Sequence, residues 1–303
     1  MPRALGAVPT RPRRRGGPRR PAAFAVALCL SVGCTLLLAP VASANFIGPK
    51  AGGSPNANQI SSLYHIILYI AAFVFVVVEG TLFYSVFKFR AKKVRHAAQI
   101  HGNTRLEVGW TVAAALILVA ITVVTFVKLP SIITPPNSSA AISYQSASVN
   151  EPTPPNGKQL TICVTGRQFI WMYSYGAACD KHRWDAKLPY SYQQMVVPVH
   201  TTVVLVIQSI DVIHSWWVPA LGGKVDAVPG YTTYTWFKAL HTGLFHGQCA
   251  QLCGRQHAFM TAQVKVVAPG QYAAWLKQQG VAINAANDQV GTLRQMLTRE
   301  GQL

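Results

Sequence analysis

GQCAQLCGRQHAFM, residues 247–260, sets two cysteines, one histidine and one methionine within twelve positions of a chain that has only six cysteines and five methionines. The spacing is Cys249-x3-Cys253-x3-His257-x2-Met260. A zinc ribbon uses paired C-x2-C steps and haem attachment uses C-x-x-C-H, and this stretch has neither. Thiolate, imidazole and thioether donors together suit a soft, redox-active ion, which points to copper. A ligand loop of this kind needs a rigid scaffold on either side of it.

The flanking sequence supplies one. TICVT (161–165), MVVPVHTTVVLVIQS (195–209), YTTYTWFKA (231–239) and MTAQVKVVA (260–268) are rich in Val, Thr and aromatics, and Gly and Pro punctuate them. A helical pattern first returns in PGQYAAWLKQQG (269–280), which predicts a short terminal helix; the tail 281–303 carries no strong signal. Residues 159–280 are thus expected to form a small antiparallel β-sandwich or barrel, a size at which such folds are stable alone. Metal ligands on such a domain belong on loops at one end, so a second histidine should come from a neighbouring loop. His214, in DVIHSWWVPALGGKVDAVPG directly after the long strand 195–209, is the candidate. Its aromatic and proline neighbours predict a dry, rigid surround. His200, His241 and His246 read as ordinary surface or supporting residues. Cys163 and Cys179 are open between buried free thiols and a bridge.

The formal charge of +18 suggests nucleic acid at first sight, but its distribution argues against that. Residues 1–130 carry fifteen Lys/Arg against Glu79 and Glu107, whereas residues 131–303 carry twelve against seven acids. The excess belongs to membrane topology. RPRRRGGPRR precedes an apolar run from Ala22 to Ala39, and Ala42-Ser-Ala44 is a cleavage signature, so residues 1–44 read as a bacterial signal peptide. The lipoprotein alternative at Cys34 lacks the leucine usual three residues earlier. Leu63–Phe87 and Val108–Val127 are each long enough to cross a bilayer. The segment KFRAKKVRHAAQIHGNTR between them carries six Lys/Arg, which places it in the cytoplasm and the C-terminal domain in the periplasm. Residues 45–130 are therefore a two-helix anchor, and the Pro-, Ser- and Asn-rich 131–158 a linker. Glu79, deep in the first span, implies a larger membrane partner that shelters its carboxyl.

DVIHSWWVPALGGKVDAVPG, GQCAQLCGRQHAFM, the aromatic segment GRQFIWMYSY and NTRLEVGW before the second span together resemble subunit 2 of the haem–copper cytochrome c oxidases. The resemblance runs from about Asn45 to Gly280, and the step of 35 positions from His214 to Cys249 fits it. It implies a membrane-anchored α + β chain: a two-helix hairpin followed by a cupredoxin-like antiparallel β-barrel holding the dinuclear copper centre CuA. Carried over by position, Cys249 and Cys253 would bridge two coppers, and His214 and His257 would each bind one. Met260 would be a weak ligand and Gln251 would offer its backbone carbonyl. Glu107 would mark the entrance of a proton path into subunit 1, and Lys224 and Asp226 would face that partner. Magnesium at the interface is doubtful, because many family members carry Glu where this chain has Gln251, and magnesium prefers charged oxygens. The haems and the second copper site, CuB, would lie in subunit 1, with subunit 3 as a further partner.

Alternatives are weaker on the residues. A structural disulfide between Cys249 and Cys253 does not explain His257 and Met260, and a mononuclear blue-copper site needs only one cysteine. The quinol-oxidase form of the subunit lacks the copper ligands. A nitrous-oxide reductase would add a propeller domain and lack the anchor. A copper-delivery protein needs an exchangeable site, whereas this loop is expected to be hemmed by Trp216, Trp217, Phe245 and Phe259. For electron entry, Phe169 stands where the family usually has Trp, and the next family Trp is Trp171. With few carboxylates on residues 131–303, a cytochrome c-like donor should be neutral or acidic and dock through apolar contacts around Phe169 and Trp171.

Overall fold

The computed structural model describes residues 48–90, 99, 102–140, 152–176, 179, 188–300 and 302. The expected signal peptide and most of the segment between the two spans lie outside them.

Two long helices come first. α1 spans Pro55–Lys88 and α2 spans Thr104–Ile133. Both are long and apolar enough to cross a membrane, and their apolar side chains face outward: Tyr69, Phe73, Val76, Leu118, Val119 and Phe126 are all exposed. A water-soluble protein could not leave such faces open, so lipid or protein must cover them. Pro55 opens α1 at its first turn, where a missing N–H costs nothing. Asn103 caps α2 by accepting from the Leu106 N–H, while Glu107 Oε1 accepts from the Asn103 N–H at 3.2 Å. Both helices overrun the expected spans on the same side, by eight residues before Leu63 and by six after Val127. There Lys128 Nζ donates to Gln59 Oε1 at 3.2 Å and ties the pair together. Hydropathy marks where lipid ends; hydrogen bonds carry the helices further.

Among the described residues, the remainder is built from ten strands, one 3-10 turn and a last helix. β1 (Leu160–Arg167), β2 (Ile170–Tyr175), β3 (Tyr190–Tyr192), β5 (Thr202–Ser209) and β8 (Thr233–Lys238) form one sheet in the order β3-β2-β1-β5-β8. β4 (Gln194–Pro198), β10 (Thr261–Val267) and β9 (Gly243–Gln248) form a second, in the order β4-β10-β9, and β6 (His214–Trp216) pairs with β7 (Val225–Ala227). Their inner faces share one core that includes Ile162, Trp171, Leu205, Phe237, Phe245 and Val264. The architecture is that of a hairpin anchor followed by a sheet-rich, cupredoxin-like domain, as expected.

Several details differ from the sequence reading. The sheets are mixed, not purely antiparallel: β1 runs parallel to β5, and β4 parallel to β10. The intervening chain crosses between sheets before returning, which is what a parallel neighbour requires. Among the described residues the sheets do not close into one barrel. The run 195–209 is two strands, because His200 adopts φ 59° and turns the chain from one sheet to the other. Histidine is one of the few non-glycine residues enriched in that conformation, and Pro198, where β4 ends two residues earlier, is the readable sign of the break. The described part of the linker is docked: Ser138 Oγ accepts from the Thr202 N–H at 2.8 Å, and Asn156 Nδ2 donates to Ser138 O at 2.7 Å. The terminal helix α3 runs unbroken from Pro269 to Arg299, well past the expected end at Gly280. Its first part packs Tyr272 and Ile283 inward. Cys163 and Cys179 form a disulfide, which closes the alternative left open by the sequence.

Candidate metal centre

The loop between β9 and β10 carries five of the six expected ligands, and β6 delivers the sixth. His214 therefore sits on a short strand, not in the loop predicted for it. The backbone stitches the two together: Gln248 N–H donates to Trp217 O at 3.0 Å and Ala250 N–H to Ser215 O at 2.9 Å. Cys249 N–H donates to Met260 O at 2.8 Å, so the loop also closes on itself. A side chain at Gly247 would strike the Trp217 carbonyl, which is why this turn of the approach takes glycine. The return is a 3-10 turn, His257–Phe259, that aims His257 back at the cysteines.

Each thiol meets its own imidazole. Cys249 Sγ lies 3.9 Å from His214 Nδ1, and Cys253 Sγ lies 3.6 Å from His257 Nδ1. Met260 Sδ is 3.8 Å from Cys253 Sγ, and the Gln251 carbonyl oxygen is 3.3 Å from Cys249 Sγ. Ligand atoms of His214, Cys249 and Cys253 all fall within 4.8 Å of one another. Two donors held tetrahedrally at ordinary metal–nitrogen and metal–sulfur lengths stand about 3.5 Å apart, so these separations fit shared metal ions. The donor set fits copper in kind as well, being two soft sulfurs with imidazole and thioether. His214, Cys249, Cys253 and Met260 are buried, and His257 is half-buried.

Two residues that the sequence did not single out hold the site in place. Asp211 Oδ1 accepts from His214 Nε2 at 2.8 Å, which leaves Nδ1 facing Cys249. Gln168 reaches both halves: its N–H donates to Asp211 Oδ2 at 2.6 Å, and its Nε2 donates to Cys253 O at 2.6 Å. A carboxylate three residues before a candidate metal-binding histidine was a readable signal. Gln168 gave none, because its partners are 43 and 85 positions away.

Electrostatics follow from this packing. Burial opposes the charge on Asp211, but donors from Gln168, His214 and Val212 outweigh it and hold the carboxyl below its ordinary value. Burial likewise opposes charge on His214, yet its contacts with Cys249 and Asp211 raise its proton affinity. Cys249 is pulled down to about 6: burial works against the thiolate, and the His214 imidazole more than offsets it. Cys253 is pushed up to about 11 by burial and by the Cys249 thiolate beside it.

The other expected site residues are spread around this centre. Trp171 is fully buried, with its ring edge-on to His214 at 5.8 Å between centroids. The expectation that a donor touches Trp171 is therefore corrected; Phe169, half-buried, is the aromatic of that segment that reaches the surface. Phe259 does not hem the loop as expected, since it is 77% exposed, and Leu252 beside Cys253 is 76% exposed. Trp216 and Phe245 are buried as the sequence implied. Lys224 and Asp226 are exposed, with Lys224 Nζ 4.7 Å above the Trp217 ring. Glu107 is exposed at the start of α2, far along the chain from the cysteines.

Similarity to known proteins extends over both the helical and the sheet-rich parts of the chain. Residues 160–267 match the family model for the periplasmic domain of cytochrome c oxidase subunit II, and residues 42–127 match the model for its transmembrane domain. The chain is 35% identical over 292 residues to cytochrome c oxidase subunit 2 of Cereibacter sphaeroides, an alignment spanning 82% of this chain and 90% of that protein. It is 30% identical over 257 residues to a probable cytochrome c oxidase subunit 2 of Rickettsia bellii, covering 80% and 88% respectively. Among solved structures it is similar to the periplasmic domain of subunit II of cytochrome oxidase (CoxB) of Bradyrhizobium japonicum. That similarity has 35% identity, covers 41% of this chain and 95% of that one, and has a TM-score of 0.37.

Proposed function

The chain belongs to the cytochrome c oxidase subunit II family, and from that premise we propose that it is the electron-entry subunit, taking electrons one at a time from a cytochrome c-like donor and passing them to haem in subunit 1. The observation that carries this reading is the pairing of each buried thiol with its own imidazole Nδ1. A mononuclear site has no use for the second pair. When bound, a dinuclear copper centre supplies a one-electron site shared between two metals. Cys249 and Cys253 would bridge it, His214 and His257 would each hold one metal, and Met260 and the Gln251 carbonyl would complete the set.

The chain's own residues do the rest. Asp211 keeps the His214 Nε2 proton engaged, so the ring cannot turn or change tautomer between redox states. Gln168 ties the cysteine loop to the same carboxylate, which limits rearrangement on electron transfer. Trp171 excludes water from the His214 side. Phe169, Leu252 and Phe259 offer an apolar surface on which a donor docks. The burial of His214, Cys249 and Cys253 favours a fixed relay over a copper-delivery protein, whose ligands must exchange.

The membrane-anchored chain would sit in a bacterial inner membrane with its sheet domain in the periplasm. Lys224 and Asp226 would face subunit 1, with subunit 3 completing the complex. Oxygen reduction, CuB and proton translocation belong to those partners, and Glu107 would open a proton path into subunit 1. Gln251 offers magnesium no charge, so that interface site should be weak. The test is copper content: two per chain in the wild type, and loss of both in Cys249→Ser and in Cys253→Ser, since a hydroxyl is a poor bridging ligand. Retention of one tightly held copper in either variant would refute the dinuclear assignment.

A further inference from the structure

Copper chemistry leaves part of the DVIHSWWVPALGGKVDAVPG motif without a use. Ala220, Leu221 and Gly222 hold no ligand, yet Ala220 and Leu221 are buried. Their neighbours come from the other end of the chain. A side chain at Gly53 would strike the Ala220 carbonyl, and one at Gly222 would come within 2.9 Å of Asn56 Nδ2. The segment that leads into α1 is therefore pressed against the same loop that continues from His214.

The polar contacts at this junction are unusual for a helix start. Ser54 occupies the N-cap of α1 but makes no capping bond. Its hydroxyl instead accepts from the Lys238 N–H of β8 at 3.1 Å and donates to Asn56 Oδ1. Asn56 Oδ1 also accepts from the Ala57 N–H at 2.9 Å, and Asn56 Nδ2 donates to Trp236 O of β8 at 2.7 Å. Leu240 N–H donates to Gly53 O at 3.0 Å. α2 joins the same strand from its other end, where Trp236 Nε1 donates to Ile133 O at 3.0 Å. Ser54 is fully buried and Asn56 is 3% exposed, so water cannot replace these bonds when one is lost. Both helices of the anchor are thus fastened to one strand, β8, by groups roughly 100 to 180 positions apart in sequence.

We propose that Asn56, acting with Ser54, is a positioning residue for electron transfer: it locks β8 and the His214 loop to the membrane anchor and so fixes where the copper ligands stand relative to the partner subunit. The idea rests on the electron-relay reading and adds to it. Without the contacts to β8, two apolar helices would hold the sheet domain only through its docked linker. A partner embedded in the same membrane can receive electrons at a constant rate only if movement of the domain is suppressed. The device costs a buried amide and hydroxyl, which is why each makes two or more hydrogen bonds.

The test uses the purified oxidase complex. Asn56→Leu keeps the bulk of the side chain but removes the donor to Trp236 O and the acceptor of the Ser54 hydroxyl. Hydrogen exchange at the Lys238 and Leu240 amides should accelerate about tenfold or more, because those bonds report opening of the junction. Electron uptake from the donor should be unchanged, and onward transfer to the partner's haem should slow about tenfold, the scale on which sub-ångström to ångström misplacements act. Ser54→Ala removes one arm only, together with the acceptor of the Lys238 N–H, so in that variant the Leu240 amide is the reporter. Its exchange and onward transfer should both change in weaker form, and the variant also serves if Asn56→Leu does not assemble. Onward transfer at the wild-type rate in an assembled variant with faster exchange would overturn the proposal, as would unchanged exchange. If the wild type itself held no dinuclear copper, the relay reading would fall, while the exchange result would still judge the junction.

Discussion

Cys249 and Cys253 are chemically unequal before any metal arrives, although the sequence presents them as a matched pair. Cys249 sets its sulfur 3.9 Å from His214 Nδ1 and is held near 6, while Cys253, raised by burial and by the thiolate beside it, reaches about 11. The sign follows from the surroundings: the His214 imidazole stabilises the Cys249 thiolate against its burial, whereas burial and then the neighbouring anion disfavour charge on Cys253. Ultraviolet titration of the copper-free protein should accordingly show one thiolate forming near pH 6 and the other only near pH 11. In Cys249→Ser the remaining step should move down towards the ordinary thiol value, since the neighbouring anion is gone. Two overlapping steps near the ordinary value would mean that His214 does not face Cys249. Asp211 matters at the same scale. It orients the ring that makes Cys249 acidic, and it does so from the first position of the DVIHSWW motif, three residues before His214.

Elements were legible where their residues face one environment and obscure where they face two. α1 and α2 are readable because lipid selects a long apolar run, whereas their ends at Pro55, Thr104 and Ile133 lie beyond those runs. The strands around Ile162, Val204 and Val264 were readable from Val-rich runs. β2, buried along nearly its whole length, was quoted for its aromatics and not seen as a strand. Short β6 and β7 exist through pairing with each other, which no local pattern reports. The ligand loop was legible in full, because metal chemistry restricts residue type and spacing at once. α3 beyond Gly280 has mixed composition and few inward contacts, so its continuation left little trace in the sequence. Glu107 belongs to this scale too, since it accepts from the Asn103 N–H at the start of α2. Glu107→Gln keeps an acceptor for that N–H but removes the charge at a helix start. Turnover limited by proton uptake should fall several-fold while reduction of the copper site by the donor is unaffected. Equal turnover in both proteins would reduce Glu107 to a capping residue.

Over the whole molecule, charge and shape divide the labour between membrane and donor. The basic excess sits in residues 1–130, where the proposed topology would use it to set orientation, and residues 131–303 carry twelve bases against seven acids. The surface near the copper loop is apolar at Phe259 and Leu252, which are 77% and 76% exposed. Long-range steering of a strongly basic donor should therefore be weak. The association rate with a basic cytochrome c should stay flat or rise as salt increases; a steep fall would reveal an acidic docking face that the charge balance conceals. Electron entry and onward transfer both depend on one property proposed for the loop at 249–260, two coppers sharing one electron. The most direct measurement is the near-infrared absorption of the copper-loaded chain, read together with its copper content. A mixed-valence band with two coppers per chain, lost in His214→Ala, is the predicted result. A single copper per chain with no such band would contradict the account.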